Sequence, residues 1–199
     1  MQSIRLYLSK LFSLILPWKK GTSANINFYG SISLQEEEGV KRAIQLASGH
    51  KGPIVEIGVL FGHTTNFIAS VADPSKKIIA VDNFRWNPFG LSPESHKQFT
   101  ERTLRYIVDH RNTELHSIDS SSFFKTYHGP TPSMIFIDAG HNYEDVLHDI
   151  KVSIQMGIPV ISGHDFSVQH EGVKKAVVEM FKDNFEVYGT VWVSKYQSV

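Results

Sequence analysis

Residues 53–82 read PIVEIGVLFGHTTNFIASVADPSKKIIAVD, and this stretch decides the fold. PIVEIGV is a short apolar run, the signature of a strand buried on both faces. Gly58 and Gly62 then permit a tight turn. HTTNFIASVA has helical character, and KIIAVD is a second apolar run ending in an acid. Strand, helix, strand within thirty residues requires a parallel pair, because a hairpin has no room for the helix.

The same alternation continues outward. On the amino side, Leu34–Ser48 is helical, with Val40, Ile44 and Ala47 on one face and Gly49 as a stop. On the carboxyl side, Pro93–His110 is an amphipathic helix carrying Phe99, Leu104, Ile107 and Val108. TELHSI and SMIFID are the third and fourth strands. NYEDVLHDIKVSI is a helix, GIPVIS the fifth strand, and EGVKKAVVEMF a helix. FEVYGTVWVSKY, hinged at Gly189, reads as a terminal antiparallel hairpin. The expectation is an α/β fold, a doubly wound and mostly parallel sheet with helices on both faces.

Composition narrows the function. The chain has 199 residues, room for one domain and an appendage at about 150 residues per domain. Twenty basic and twenty acidic side chains leave no net charge, so the basic excess of a nucleic-acid binder is missing. There is no cysteine, which excludes disulfides, thiolate metal sites and thiol nucleophiles. Ten histidines and twenty carboxylates remain as ligands or bases.

Residues 1–20 form an amphipathic helix in this reading. Ile4, Tyr7, Leu8, Leu11, Leu14 and Ile15 share a face, and Trp18, Lys19 and Lys20 follow. Arg5, Lys10 and Pro17 interrupt it, so it is too short to span a bilayer and makes a poor signal peptide. It packs on its own domain or a second subunit, or it lies on a membrane surface. Residues 21–33 read as a linker or lid, and residues 34–199 as the main domain. The expected location is the cytoplasm, with membrane association if the helix is interfacial.

In doubly wound sheets, ligands sit beyond the carboxyl ends of the strands. The first strand ends in Glu56, Gly58, Gly62 and Thr64, a G-x-x-x-G turn rather than the G-x-G-x-x-G of dinucleotide enzymes, whose second glycine would fall at Leu60. Glu56 suits an ammonium group and repels a pyrophosphate. Asp82 ends the second strand, where a carboxylate accepts both hydroxyls of a ribose. Asp119, beyond the third strand, either meets an adenine amino group or caps the next helix. The fourth and fifth strands deliver Asp138, His141, His164 and Asp165 to neighbouring ends. Asp138 and Asp165 suit a hard cation such as Mg²⁺. A nitrogen from His164 favours Mn²⁺, Fe²⁺ or Zn²⁺. His141 has the ordinary pKa of a general base at neutral pH. The other histidines, His96 and His170 among them, show no ligand spacing and read as surface or structural. Phe84, Arg85, Trp86, Pro88 and Phe89 either wall a pocket or cover the sheet.

VEIGVLFGHTT resembles the first motif of class I S-adenosylmethionine (SAM)-dependent methyltransferases. FIDAGHNYEDVLHDI, followed by GHDF and GVKKAVVEMF, resembles the group of macrocin-type sugar O-methyltransferases and cephalosporin hydroxylase-like proteins. The resemblance covers roughly residues 50–194. It implies a Rossmann-like seven-stranded sheet whose last strand is antiparallel. It matches Glu56, Gly58, Gly62 and Thr64 to the SAM loop, Asp82 to the ribose acid and Asp119 to the adenine side. Asp138 and Asp165 match the metal carboxylates, and His141 a catalytic base. Relatives often carry an acid where this chain has His164, a departure that bears on the metal. The implied activity is a SAM-dependent O-methyltransferase assisted by Mg²⁺ or Mn²⁺, acting on a small hydroxylated acceptor such as a diol or sugar. Two other readings compete. One is a nicotinamide oxidoreductase, disfavoured by the missing glycine pattern. The other is a non-catalytic protein of the same fold, tethered to a membrane or partner by residues 1–20.

Overall fold

Ser33 and Glu36 start the first helix with a capping box. The Ser33 side chain accepts from the Glu36 amide, and the Glu36 carboxylate accepts from the Ser33 amide. Comparable local signals open three of the later helices. Ser92 caps a helix with Pro93 in its first turn, Asp119 caps through the Ser122 amide, and Asn142 caps through the Asp145 amide. In this computed structural model, residues 32–194 are described. Their helices are α1 (Leu34–Ala47), α2 (His63–Val71), α3 (Pro93–His110), α4 (Ser120–Thr126), α5 (Tyr143–Gln155) and α6 (Glu171–Phe181). Their strands are β1 (Ile54–Ile57), β2 (Ile78–Val81), β3 (Thr113–His116), β4 (Met134–Ile137), β5 (Ile161–Gly163), β6 (Phe185–Tyr188) and β7 (Val191–Ser194).

The strands form one sheet in the order β3-β2-β1-β4-β5-β7-β6. β1 to β5 are parallel, while β7 runs antiparallel to both β5 and β6. This is the Rossmann-like, mostly parallel sheet with the C-terminal hairpin that the sequence predicts. The hairpin's second strand inserts between β5 and its first.

Alternation along the central strands supplies two cores. Ile54, Ile78, Ala80, Met134 and Phe136 face one side and pack with Val40 and Ile44 of α1, Ile68 of α2 and Leu104 and Ile107 of α3. Val55, Ile57, Ile79, Val81, Ile135 and Ile137 face the other, against Phe123 of α4, Val146 and Ile150 of α5 and Val173, Val177 and Phe181 of α6. Burial on both faces is why these strands read as continuous apolar runs.

The strand order reverses between β1 and β4, where Ile57 pairs with Ile137. The crevice of a doubly wound sheet opens there. The helix α4 follows the capping alternative at Asp119, but its seven residues are too few to show helical periodicity in the sequence. The residues 1–20 and 21–31, expected as helix and linker, lie outside the described residues. The last two residues of that expected linker are part of the fold, since Ile32 is buried and Ser33 caps α1. Among the described residues, no helix is long and apolar enough to cross a membrane.

Candidate active site

The β1–α2 turn is a backbone cradle with a side-chain frame. Gly58 has φ +91°, and a Cβ there would collide with the Asp138 carbonyl oxygen, so β1 and β4 touch backbone to backbone. Gly62, in the left-handed region at φ +81°, begins α2 with no side-chain cap on the helix amides. Leu60 also sits in the left-handed region, at φ +50°. A non-glycine residue there costs about 1–2 kcal/mol, and three neighbours hold it. Its amide donates to Asp82 Oδ2 at 2.9 Å, and its carbonyl accepts from Thr100 Oγ1 at 2.5 Å and lies 2.7 Å from His96 Nε2. The position that a dinucleotide loop would give to glycine thus keeps the glycine conformation with a leucine.

Asp82 is therefore occupied in a way that the sequence did not show. Its Oδ2 accepts the Val59 and Leu60 amides at 2.8 and 2.9 Å, and its Oδ1 accepts the Phe84 amide at 2.6 Å. Of roughly four acceptor positions on a carboxylate, one is left. Asp119 gives one oxygen to the Ser122 amide and the other to its hydroxyl, at 2.8 and 3.0 Å. The capping alternative is the one realised. Thr64 is buried in the first turn of α2.

Glu56 lies fully buried beneath the turn. Burial raises its carboxyl to about 8, against the Thr65 hydrogen bond, with Asp138 and Asp82 adding to the rise. Thr65 Oγ1 donates to Oε2, while Oε1 is buried with no partner. An orphaned buried acceptor is costly unless something satisfies it.

The second group assembles at the ends of β4 and β5. His141 Nε2 lies 2.8 Å from Asp165 Oδ2. His164 Nδ1 lies 3.5 Å from Asp138 Oδ1 and 3.7 Å from Asp165 Oδ1. Asp165 is held at φ +61°, a left-handed conformation that Asp tolerates better than most residues and that recurs at functional sites. The hydrogen bond to Asp165 raises His141 above its ordinary value, against partial burial. Burial is the largest influence on His164 and pushes it down. Its contacts with Asp138 and Glu36 together outweigh that and raise it to about 10. Burial raises Asp138, opposed by His164. For Asp165, burial is outweighed by His141, His164 and His170, and its carboxyl is lowered.

Four predicted residues, Asp138, His141, His164 and Asp165, thus come together. The structure adds residues that sequence reasoning missed. His170, read as surface or structural, has Nδ1 3.2 Å from Asp165 Oδ1 and its ring 4.4 Å from that of His141. That reading is corrected: His170 joins the cluster. Its neighbours in sequence gave no signal, because the contact is made by the β5–α6 loop folding back. Glu36 has Oε1 3.3 Å from His164 Nε2. The spacing Ser33-x-x-Glu36 reveals a capping box but not this contact. His96 is structural as expected, buried under Leu60. Phe84 is buried against it, whereas Trp86 is exposed, so the aromatic loop divides between covering the sheet and facing solvent.

Among the described residues, two triads each bring their donor atoms within 4.8 Å: Asp138, His164 and Asp165, and His141, Asp165 and His170. The first suits a divalent cation with mixed oxygen and nitrogen ligands. The second, with one nitrogen of His141 bonded to a carboxylate, suits proton transfer.

A family model described as a methyltransferase domain matches residues 55–166. No curated protein matches the sequence. Among solved structures, the fold is similar to the cofactor-bound Rv0187 from MTB, at 16% identity and TM-score 0.61, over 100% of this chain and 91% of that one. It is similar to an O-methyltransferase from Bacillus cereus in complex with SAH, at 15% identity and TM-score 0.60, over 97% and 98%. It is similar to TomG from Streptomyces achromogenes, an O-methyltransferase of tomaymycin synthesis in complex with SAM, at 15% identity and TM-score 0.60, over 97% of each chain.

Proposed function

The chain belongs to the methyltransferase-domain family, and from that premise we propose that it transfers the methyl group of SAM to a hydroxyl of a small molecule or sugar, with a divalent cation assisting. The observation that carries this reading is one of position. The β1–α2 turn and the Asp138–His141–His164–Asp165 group meet at the same reversal of strand order, where Gly58 lies against Asp138. A methyl donor and an acceptor must meet in line, and adjacent strand ends are where a doubly wound sheet brings two ligands together.

The residues fit SAM. The unpartnered Glu56 Oε1 suits the ammonium of its methionine part. The uncapped amides at the start of α2 suit its carboxylate, beside Gly62 and Thr64. Asp82 keeps one acceptor position for a ribose hydroxyl, and each oxygen of the exposed Asp119 keeps a lone pair for the adenine amino group. They also fit a cation: Asp138, His164 and Asp165 would hold it. Bound SAM supplies a methyl already activated by its sulfonium, and a bound cation supplies Lewis acidity toward an acceptor hydroxyl.

The chain's own part is alignment and proton removal. Alignment contributes up to about 7–11 kcal/mol in favourable cases. With its proton on Nε2, which lies 2.8 Å from Asp165 Oδ2, neutral His141 has the Nδ1 lone pair to take the acceptor proton. Asp165 orients that ring and stabilises the imidazolium that forms, a contribution of about 10²–10⁴-fold for a positioned base. Its other oxygen faces His164 and His170, so one carboxylate serves both triads.

Calorimetric titration with S-adenosylhomocysteine, with NAD as control and with and without Mn²⁺ or Mg²⁺, tests the cofactor. A screen of diols and sugars with methyl-labelled SAM then tests the acceptor class. Micromolar binding of S-adenosylhomocysteine and an O-methylated product are expected. Binding of NAD alone would overturn the reading.

A further inference from the structure

Glu36 uses its two oxygens for two different tasks. Oε2 accepts the Ser33 amide at 2.6 Å and completes the α1 cap. Oε1 does not point to solvent. It accepts from Thr190 Oγ1 at 2.7 Å and the Thr190 amide at 3.3 Å, and it lies 3.3 Å from His164 Nε2. The Glu36 side chain is 12% exposed and that of His164 15%. A Cβ at Gly189 would lie 2.8 Å from Glu36 Cγ, so the β6–β7 turn leaves room for this carboxylate. An N3 glutamate in a capping box needs one acceptor oxygen; this one is built into a second contact by Thr190, in the turn that leads into β7, the neighbour of β5.

An imidazole has two nitrogens, and the partner of one fixes what the other offers. His164 Nε2 is buried, makes no aligned hydrogen bond, and has the Glu36 Oε1 carboxylate oxygen 3.3 Å away, while Nδ1 lies on the side of Asp138 and Asp165. Metal-ligating histidines commonly present their second nitrogen to a carboxylate in this way. We propose that Glu36 is a positioning residue that fixes the His164 ring so that Nδ1, with Asp138 and Asp165, binds a transition-metal dication such as Mn²⁺. This rests on the metal-assisted reading above and extends it to α1, outside the segment that the family model matches. A metal held by Nδ1 would leave Nε2, 3.3 Å from Glu36 Oε1, as the ring nitrogen beside that carboxylate.

The test is titration of the full chain with Mn²⁺ alone, read by the free-ion EPR signal, together with pulsed EPR of bound Mn²⁺ for coupling to a histidine nitrogen. The wild type is expected to bind one ion with nitrogen coupling that His164→Gln removes. Glu36→Gln is expected to weaken Mn²⁺ by about 10–100-fold and to alter that coupling. Ser33→Ala removes the other arm of the capping box and is expected to leave both unchanged. Unchanged affinity and coupling in Glu36→Gln would overturn the positioning role and leave the metal reading standing. An equal loss in Ser33→Ala would also overturn it, since the effect would then belong to the helix start. No Mn²⁺ binding by the wild type would remove the metal reading and this inference with it. If Glu36→Gln does not fold, Thr190→Val decides: loss of the donor that orients Oε1 is expected to weaken Mn²⁺ severalfold, and no change overturns the proposal.

Discussion

His141 Nε2 stands 2.8 Å from Asp165 Oδ2, and this contact joins the loop after β4 to the loop after β5 across the mouth of the site. The pairing orients the ring and raises its proton affinity together. Replacing His141 with Ala is expected to lower kcat by about 10²–10⁴-fold and to leave S-adenosylhomocysteine affinity within twofold. Calorimetry beside single-turnover methylation checks both, and equal losses in the two would remove His141 from the role of base.

The same contact sets a pH dependence. A base must be neutral to act, so activity rises with pH through the His141 pKa, which lies above its ordinary 6.5. Without the Asp165 anion, partial burial and the His164 charge lower the imidazole, and the Asp138 charge is the smaller influence opposing them. Histidine NMR titration of Asp165→Asn is therefore expected to show His141 moving down. An unmoved resonance would mean that Asp165 does not govern it.

Glu56 gives a stability slope of defined sign. Its carboxyl is near 8 in the fold, above the 4.5 of an exposed glutamate. Below about pH 4.5 it is protonated folded and unfolded. Between there and pH 8, unfolding releases its proton, so stability erodes as pH rises. Above 8 the contribution levels off. Glu56→Gln is expected to gain stability over the wild type across this window, by on the order of a few kcal/mol, since each tenfold change in proton affinity is worth about 1.4 kcal/mol. Urea unfolding at pH 5 and pH 8 measures it; a constant difference between the two proteins would contradict the assignment.

Two positions in the same turn are expected to respond oppositely. Gly58→Ala drives a methyl into the Asp138 carbonyl, and should cost more than about 3 kcal/mol and abolish cofactor binding. Leu60→Gly relieves a left-handed leucine worth about 1–2 kcal/mol against the added entropy of glycine. The result should be neutral or slightly stabilising by thermal melting. A melting temperature that falls as far in Leu60→Gly as in Gly58→Ala would show that the leucine side chain, not its conformation, holds the turn.

Asp82→Ala removes the acceptor of three backbone amides. A loss of about 2–4 kcal/mol in stability is expected, at roughly 1 kcal/mol or more per amide, even with no cofactor present. If Asp82 served a ribose alone, the apo protein would melt as the wild type does.

The layered sheet, and the residues that end its strands, were legible in the chain before it folded. Both are local matters. Runs such as IVEI and MIFI are buried on two faces, and Asp82, Asp138 and Asp165 follow their strands by one or two residues, so strand assignment also placed them. The hairpin about Gly189 and the two alternatives at Asp119 were legible in the same way. Packing between distant elements settled the rest. That Asp82 spends its oxygens on the Val59, Leu60 and Phe84 amides depends on how closely β2 approaches the β1 turn. That His170 meets Asp165 depends on a loop that has no period to read. That Glu36 reaches His164 depends on β7 lying beside β5 and on the turn into β7 carrying Thr190 to the start of α1. Periodicity records which face of an element is buried, because burial repeats along the chain. A single polar contact between distant elements does not repeat, and only the packed sheet defines it.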